Sequence, residues 1–144
     1  MTTRQQVRTE AMGWLRTPYH HHGDIKGVGT DCAMLLVRVY AGVGLVPATL
    51  DPRPYATDWH LHRGEEKYLA WVEQYGTRVD TPKAGDVVLW RFGRTYSHGA
   101  IVLDEQGTII HAYRDAGAVV LGSMRESQLV SRPHVFYSIN GIED

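Results

Sequence analysis

The sequence predicts an α+β domain, with N-terminal helices packed on a central antiparallel sheet of about five strands. Three observations carry that prediction. Apolar residues recur at helical spacing through the first half of the chain. Five short β-rich runs follow through the second half, most of them separated by turn signals. The length of 144 residues, with 43% hydrophobic and 22% charged residues, suits one globular domain spanning 1–144.

The first helix is expected over 3–15. Thr3 followed by Gln6 is a capping-box pattern, Val7, Ala11, Trp14 and Leu15 share one face, and Thr17-Pro18 ends it. A loop with glycines at 23, 27 and 29 covers 19–30. The second helix runs from about 31 to 40, capped by Thr30 or Asp31. Ala33-Met34-Leu35-Leu36-Val37 is apolar nearly all round, so this helix should be buried. Pro52 and Pro54 make 48–63 irregular. A third helix is expected over 65–75, with Tyr68, Leu69, Trp71, Val72 and Tyr75 inward and Gly76 at its C-cap. The strands are expected at 87–90, 100–103, 108–113, 118–121 and 135–139. Ser123 with Glu126 is a second capping-box pattern, expected to open a short helix before the last strand.

Composition excludes several classes. Fifteen Lys+Arg against sixteen Asp+Glu give a net charge of −1, so neither nucleic acid nor an anionic membrane is an expected partner. The single cysteine, Cys32, excludes an intrachain disulfide and a Cys-rich zinc site. The N-terminal Met1-Thr2-Thr3-Arg4-Gln5-Gln6 lacks the apolar core of a signal peptide, and the apolar run at 33–37 is too short to span a bilayer. Synthesis in the cytoplasm without a signal peptide is therefore expected. Eight histidines are many for this length.

Cys32 is the first candidate for chemistry. It opens a buried helix after a glycine-bearing loop, where unpaired N–H groups and the helix dipole favour a thiolate and can donate to an oxyanion. A thiolate nucleophile needs a base, and the base needs an orienting partner. His98 and His111 lie in the two strands flanking Glu105-Gln106-Gly107. If Glu105 and Gln106 form a two-residue loop, Asp104 pairs with Gly107 and Ala100 with His111. His98 is then diagonal to His111 on one face, roughly 7–8 Å away between backbones. A one-residue slip would separate them onto opposite faces. His111 interrupts an apolar strand, and burying an imidazole without a partner costs roughly 1–3 kcal/mol.

The order Pro18-Tyr19, Asp31-Cys32, Pro82-Lys83-Ala84-Gly85-Asp86-Val87-Val88-Leu89, Ser97-His98-Gly99-Ala100-Ile101-Val102 and Ile110-His111-Ala112 resembles the NlpC/P60 family of papain-like cysteine peptidases. The resemblance extends from Trp14 to about Leu121. It is greatest to the phage and prophage branch, through Lys26-Gly27-Val28-Gly29-Thr30-Asp31-Cys32 and Arg53-Pro54-Tyr55-Ala56-Thr57-Asp58-Trp59. It implies the papain-like NlpC/P60 fold, with Cys32 as nucleophile, His98 as general base and His111 as the residue that orients His98. Tyr19, Asp31, His21 and Ser97 are the implied oxyanion- or substrate-binding residues, although Asp31 can equally be a plain N-cap. Two features depart from the pattern. Ala33-Met34 stands where many members carry Ser-Gly, which bears on recognition of a free peptide amine. The segment between the second helix and the sheet is also long.

No cofactor and no metal are expected. Three consecutive rings, His20-His21-His22, do not easily converge on one ion; they are expected to border the cleft mouth. His60 and His62 either do the same or are exposed, Trp59 and Trp71 are expected in the core, and His134 has no assigned role. The resemblance implies an amide hydrolase acting on peptidoglycan stem peptides, cutting between D-γ-glutamate and a diamino acid. Phage tail proteins are the implied partners, and a virion tail acting on the bacterial cell wall the implied location. The alternatives are a non-catalytic tail-tip or assembly protein of the same fold, and a thioester acyltransferase.

Overall fold

The computed structural model describes residues 1–55 and 67–144. The readings placed on Thr57-Asp58-Trp59, His60, His62 and the start of the third helix at Glu65 lie outside the described residues. The elements run β1 (Thr2–Thr3), α1 (Arg4–Met12), β2 (Asp24–Ile25), β3 (Gly29–Thr30), α2 (Cys32–Gly42), α3 (Lys67–Tyr75), β4 (Gly76–Val79), β5 (Val87–Phe92), β6 (Thr95–Val102), β7 (Thr108–Tyr113), β8 (Ala118–Ser123), α4 (Ser127–Val130), β9 (His134–Ile139) and β10 (Ile142–Glu143). A six-stranded antiparallel sheet in the order β4-β9-β5-β6-β7-β8 forms the centre.

The sheet thus has six strands rather than five. Gly76 is the first residue of β4, paired with Ile139, and not a helix C-cap. The tetrapeptide Gly-Thr-Arg-Val lies at the sheet edge and carries no apolar run, and its leading glycine reads as a helix stop rather than a strand start. In α1 the capping box is present: Gln6 N donates to Thr3 Oγ1 at 3.2 Å, and Thr3 N donates to Gln6 Oε1 at 2.8 Å. The helix stops at Met12 instead of Leu15. The last turn tightens, with Trp14 N bonded to Ala11 O at 3.0 Å and Leu15 N to Met12 O at 3.2 Å, and still buries Trp14. Ser123 and Glu126 do make a local turn, Ser123 N donating to Glu126 Oε1, but α4 starts after Glu126.

Both faces of the sheet are apolar. On the helix side, Val87, Leu89, Ile101, Ile110 and Val119 pack with Val7 of α1 and with Cys32, Leu35, Leu36 and Val39 of α2. On the other side, Val88, Trp90, Ala100, Val102 and Ile109 pack under Leu129 of α4. The strand sequences therefore read as continuous apolar runs rather than strict alternation. The β6–β7 hairpin places Ile101 opposite Ile110 and Val102 opposite Ile109, the register expected from a two-residue Glu105-Gln106 loop. Against β5, Trp90 faces His98 while Arg91 faces Tyr96, so Ser97 is the extra residue of a bulge. Elsewhere β1 pairs with β10 in parallel, Thr2 beside Ile142 and Thr3 beside Glu143.

Candidate active site

Asp31 organises the approach to α2. Its carboxylate accepts Met34 N at 2.9 Å, the N-cap bond, and His22 N at 2.9 Å. It also accepts the Tyr55 hydroxyl at 2.6 and 2.7 Å. At 2% exposure the carboxylate is fully engaged within the protein. His21 Nδ1 lies 3.8 Å from it, and His21 stacks on His22 with ring centres 3.7 Å apart. His22 Nε2 stands 2.8 Å from Tyr55 O and 3.1 Å from Tyr55 N, while His20 Nδ1 meets the His21 carbonyl. The three consecutive rings thus turn to different partners. Tyr19 is fixed from both sides, bridged to Thr30 and with its N–H donating to Gly117 O at 2.8 Å.

Cys32 is the first residue of α2, and its Sγ donates to Ser97 O at 3.5 Å. Tyr68 of α3 donates to the Cys32 carbonyl at 3.0 Å. Gly99 makes that reach possible. A Cβ there would collide with the Tyr68 hydroxyl and come within 2.9 Å of Leu36 and Leu89. The shift of the thiol runs opposite to the one a helix N-terminus favours. Burial pushes the Cys32 thiol up to about 12, and the Asp31 carboxylate beside it adds to the rise. The Gly99 N–H, the Tyr68 hydroxyl and the residue's own N–H oppose this without cancelling it. Burial, with Cys32 and Asp31 nearby, likewise raises the Tyr19 phenol.

The two histidines do meet. His98 Nε2 and His111 Nδ1 are 2.8 Å apart, a hydrogen bond across the hairpin diagonal. His98 stacks on Trp90 at 5.7 Å and meets Phe92 edge-on, and His111 stacks on Tyr113 at 5.0 Å. Burial pushes His98 down to about 3, with His111 and Arg132 adding, and pushes His111 down to about 4 against the pull of Glu126. Both rings are therefore neutral at ordinary pH.

Where these groups lie relative to Cys32 follows from strand alternation. Gly99 faces Leu36 and Tyr68 on the helix side. Its neighbour His98 faces the other way, beside Trp90. The cysteine therefore meets β6 at the backbone flanking His98. Among the described residues its hydrogen bond goes to Ser97 O and not to an imidazole. Tyr19, Asp31 and Ser97 gather round Cys32, His21 stands beyond Asp31, and His98 and His111 form a separate bonded pair. Sequence reasoning missed two contributors. Tyr68 sits on the inward face of α3, where a tyrosine reads as core. Tyr55 lies in an irregular stretch whose only signal was the Arg53-Pro54-Tyr55 motif.

The sequence profile of the NlpC/P60 family matches residues 16–136. Among solved structures, the NlpC/p60 domain of the peptidoglycan hydrolase SagA superposes with a TM-score of 0.66 at 24% identity, over 96% of this chain and 100% of that one. The peptidoglycan hydrolase RipB from Mycobacterium tuberculosis gives 0.61 at 23% identity, over 94% and 64%. NlpC1 from Trichomonas vaginalis gives 0.68 at 13% identity; the match covers 94% of this chain but only 43% of that longer one. No curated protein matches in sequence. At these identities the superpositions speak for the fold. The profile spans most of the sequence, including Tyr19, Cys32, His98 and His111, and so the chain belongs to the NlpC/P60 family.

Proposed function

We propose that the protein is a cysteine peptidase that hydrolyses an amide bond in a peptidoglycan stem peptide, with Cys32 as nucleophile, His98 as general base and His111 orienting His98. One observation carries the reading. The N-terminus of α2 delivers a thiol to the backbone of residues 97–99, while the imidazole of His98 is already bonded to His111 through Nε2. That bond leaves Nδ1 as the nitrogen for a thiol proton.

In this reading the resting pair is neutral, thiol and imidazole. Productive binding moves the Cys32 side chain off Ser97 O, and the thiol proton passes to His98 Nδ1 as sulfur attacks the carbonyl carbon. The C=O electrons go to an oxyanion held by the Cys32 N–H and the Tyr19 hydroxyl. Collapse breaks the C–N bond, and the leaving amine takes the proton from His98. Water, deprotonated by His98, then cleaves the thioester and returns the thiol. Similarity to peptidoglycan hydrolases such as SagA and RipB supports the substrate class. Within it we favour the bond between D-γ-glutamate and a diamino acid, in a phage tail-associated enzyme acting on the cell wall. Asp31 acts in this scheme as N-cap and anchor for Tyr55, with His21 and Ser97 at the edge of the substrate path.

A second reading has its own support. A thiol raised to about 12 and bonded to a main-chain carbonyl also suits a non-catalytic tail-tip or assembly protein that keeps the fold. Mass spectrometry of muropeptides incubated with wild type and with Cys32→Ala decides between them. Stem-peptide fragments released by wild type alone support the peptidase. Identical digests, or no digestion by either, sink it.

A further inference from the structure

The histidine pair ends at a glutamate. Gly122 of β8 stands opposite Ile109, on the sheet face that carries His111. A Cβ on Gly122 would lie 3.1 Å from His111 Nε2 and 2.9 Å from Glu126 Oε1. The glycine thus leaves the imidazole nitrogen and the carboxylate oxygen facing one small space. The carboxylate is aimed there by its own partners. Oε1 accepts the Ser123 N–H at 3.1 Å, and Oε2 accepts from Gln128 Nε2 at 2.8 Å.

The bond between His98 Nε2 and His111 Nδ1 couples the tautomers of the two rings. His98 can take a proton at Nδ1 only if its Nε2 carries the hydrogen donated to His111. His111 must then carry its own hydrogen at Nε2, the nitrogen that faces Glu126. We propose that Glu126 is a positioning residue: its carboxylate holds His111 as the Nε2–H tautomer and thereby keeps His98 Nδ1 open for the thiol proton. The proposal rests on the reading of Cys32, His98 and His111 as the catalytic set. Among the described residues, the groups facing the pair are Trp90 and Phe92 from β5, Tyr113 from β7, Glu126 before α4 and Arg132 after it. Only Glu126 among them offers negative charge, and Arg132, lying 3.7 Å over the Phe92 ring, opposes it.

The test is Glu126→Gln in the full chain, read in two ways. In ring-nitrogen NMR of histidine-labelled protein, wild type should show His111 with hydrogen on Nε2. In Glu126→Gln the Nδ1–H form should become populated and the ring should titrate at lower pH. In muropeptide hydrolysis, kcat should fall about tenfold with KM unchanged. The acid limb of the pH profile should move to lower pH, because a base without its anion protonates later. Glu126→Asp should recover part of the loss. Gly122→Ala, which fills the space, should reproduce the NMR change and carries the test if the glutamine variant does not fold. A His111 spectrum and titration identical to wild type overturns the proposal whatever the activity does. A changed tautomer with unchanged kinetics leaves Glu126 its role and overturns instead the catalytic reading of the pair.

Discussion

The two faces of the sheet treat their titratable groups in opposite ways. On the helix side, Cys32 is enclosed by Tyr19, Tyr68 and the Asp31 carboxylate, and the combination of burial and negative charge keeps the thiol protonated. On the other side, His98 and His111 are enclosed by Trp90, Phe92 and Tyr113, and burial keeps both imidazoles unprotonated. The two meet along residues 97–99 of β6, where Cys32 Sγ bonds Ser97 O at 3.5 Å and His98 is the next residue. The lesson is that a nucleophile and a base can each be held neutral by its own side of a sheet, so that charge separation waits for a ligand.

The sharpest way to break this comparison is to remove one side. His98→Ala should lower muropeptide hydrolysis by about 10²–10⁴-fold, measured as kcat, while leaving the Cys32 alkylation rate unchanged. A large change in alkylation would show that the imidazole touches the resting thiol after all.

The next effect is on stability against pH. Folded-state pKa values of about 3 and 4 for His98 and His111 lie below the unfolded value near 6.5. The unfolded chain then binds protons first, so stability contributed above pH 6.5 should be lost as pH falls towards 3. The thiol has the opposite sign. Its folded pKa of about 12 lies above the unfolded value, so stability present below that value should be lost as pH rises towards 12. Urea midpoints across pH should flatten on the acid flank in a His98→Gln, His111→Gln double variant. They should flatten in part on the alkaline flank in Cys32→Ser, the raised tyrosines Tyr19, Tyr40, Tyr55, Tyr68 and Tyr137 supplying the rest.

Smaller still is the packing of the join. Gly99→Ala should cost about 1–3 kcal/mol by forcing a methyl into Tyr68, Leu36 and Leu89. In a thermal-denaturation cycle with Tyr68→Ala, the penalty should shrink once the ring is gone. Smallest is Asp31→Asn, which keeps an N-cap oxygen but replaces the second acceptor facing His22 N, Met34 N and the Tyr55 hydroxyl with an amide nitrogen, at a cost of about 1 kcal/mol. It should also speed alkylation of Cys32 at pH 8, since removing the carboxylate lowers the thiol pKa.

Periodicity and turn signals carried much of this in advance. The Glu105-Gln106 loop set the hairpin register, and that register alone put His98 within a side chain's reach of His111. The capping residues Thr3 and Asp31 were equally legible, because caps are local. What could not be read was non-local. β4 depends on pairing with β9, far along the chain. Tyr68 reaches Cys32 only because Gly99 clears the way. The thiol's shift depends on how completely α2 is buried, and a helix N-terminus alone argues for the wrong sign.

The parallel ribbon of β1 and β10 has a consequence for how the molecule comes apart. It ties residues 2–3 to 142–143 through two pairs, helped by Arg4 bonding Asp144 at 2.5 Å across a separation of 140 residues. Closing so long a loop for so few bonds is the least rewarded step in assembling the fold. The ribbon should therefore fray while the sheet stays intact, its amides exchanging with solvent by local opening and those of β5 and β6 only when the whole domain unfolds.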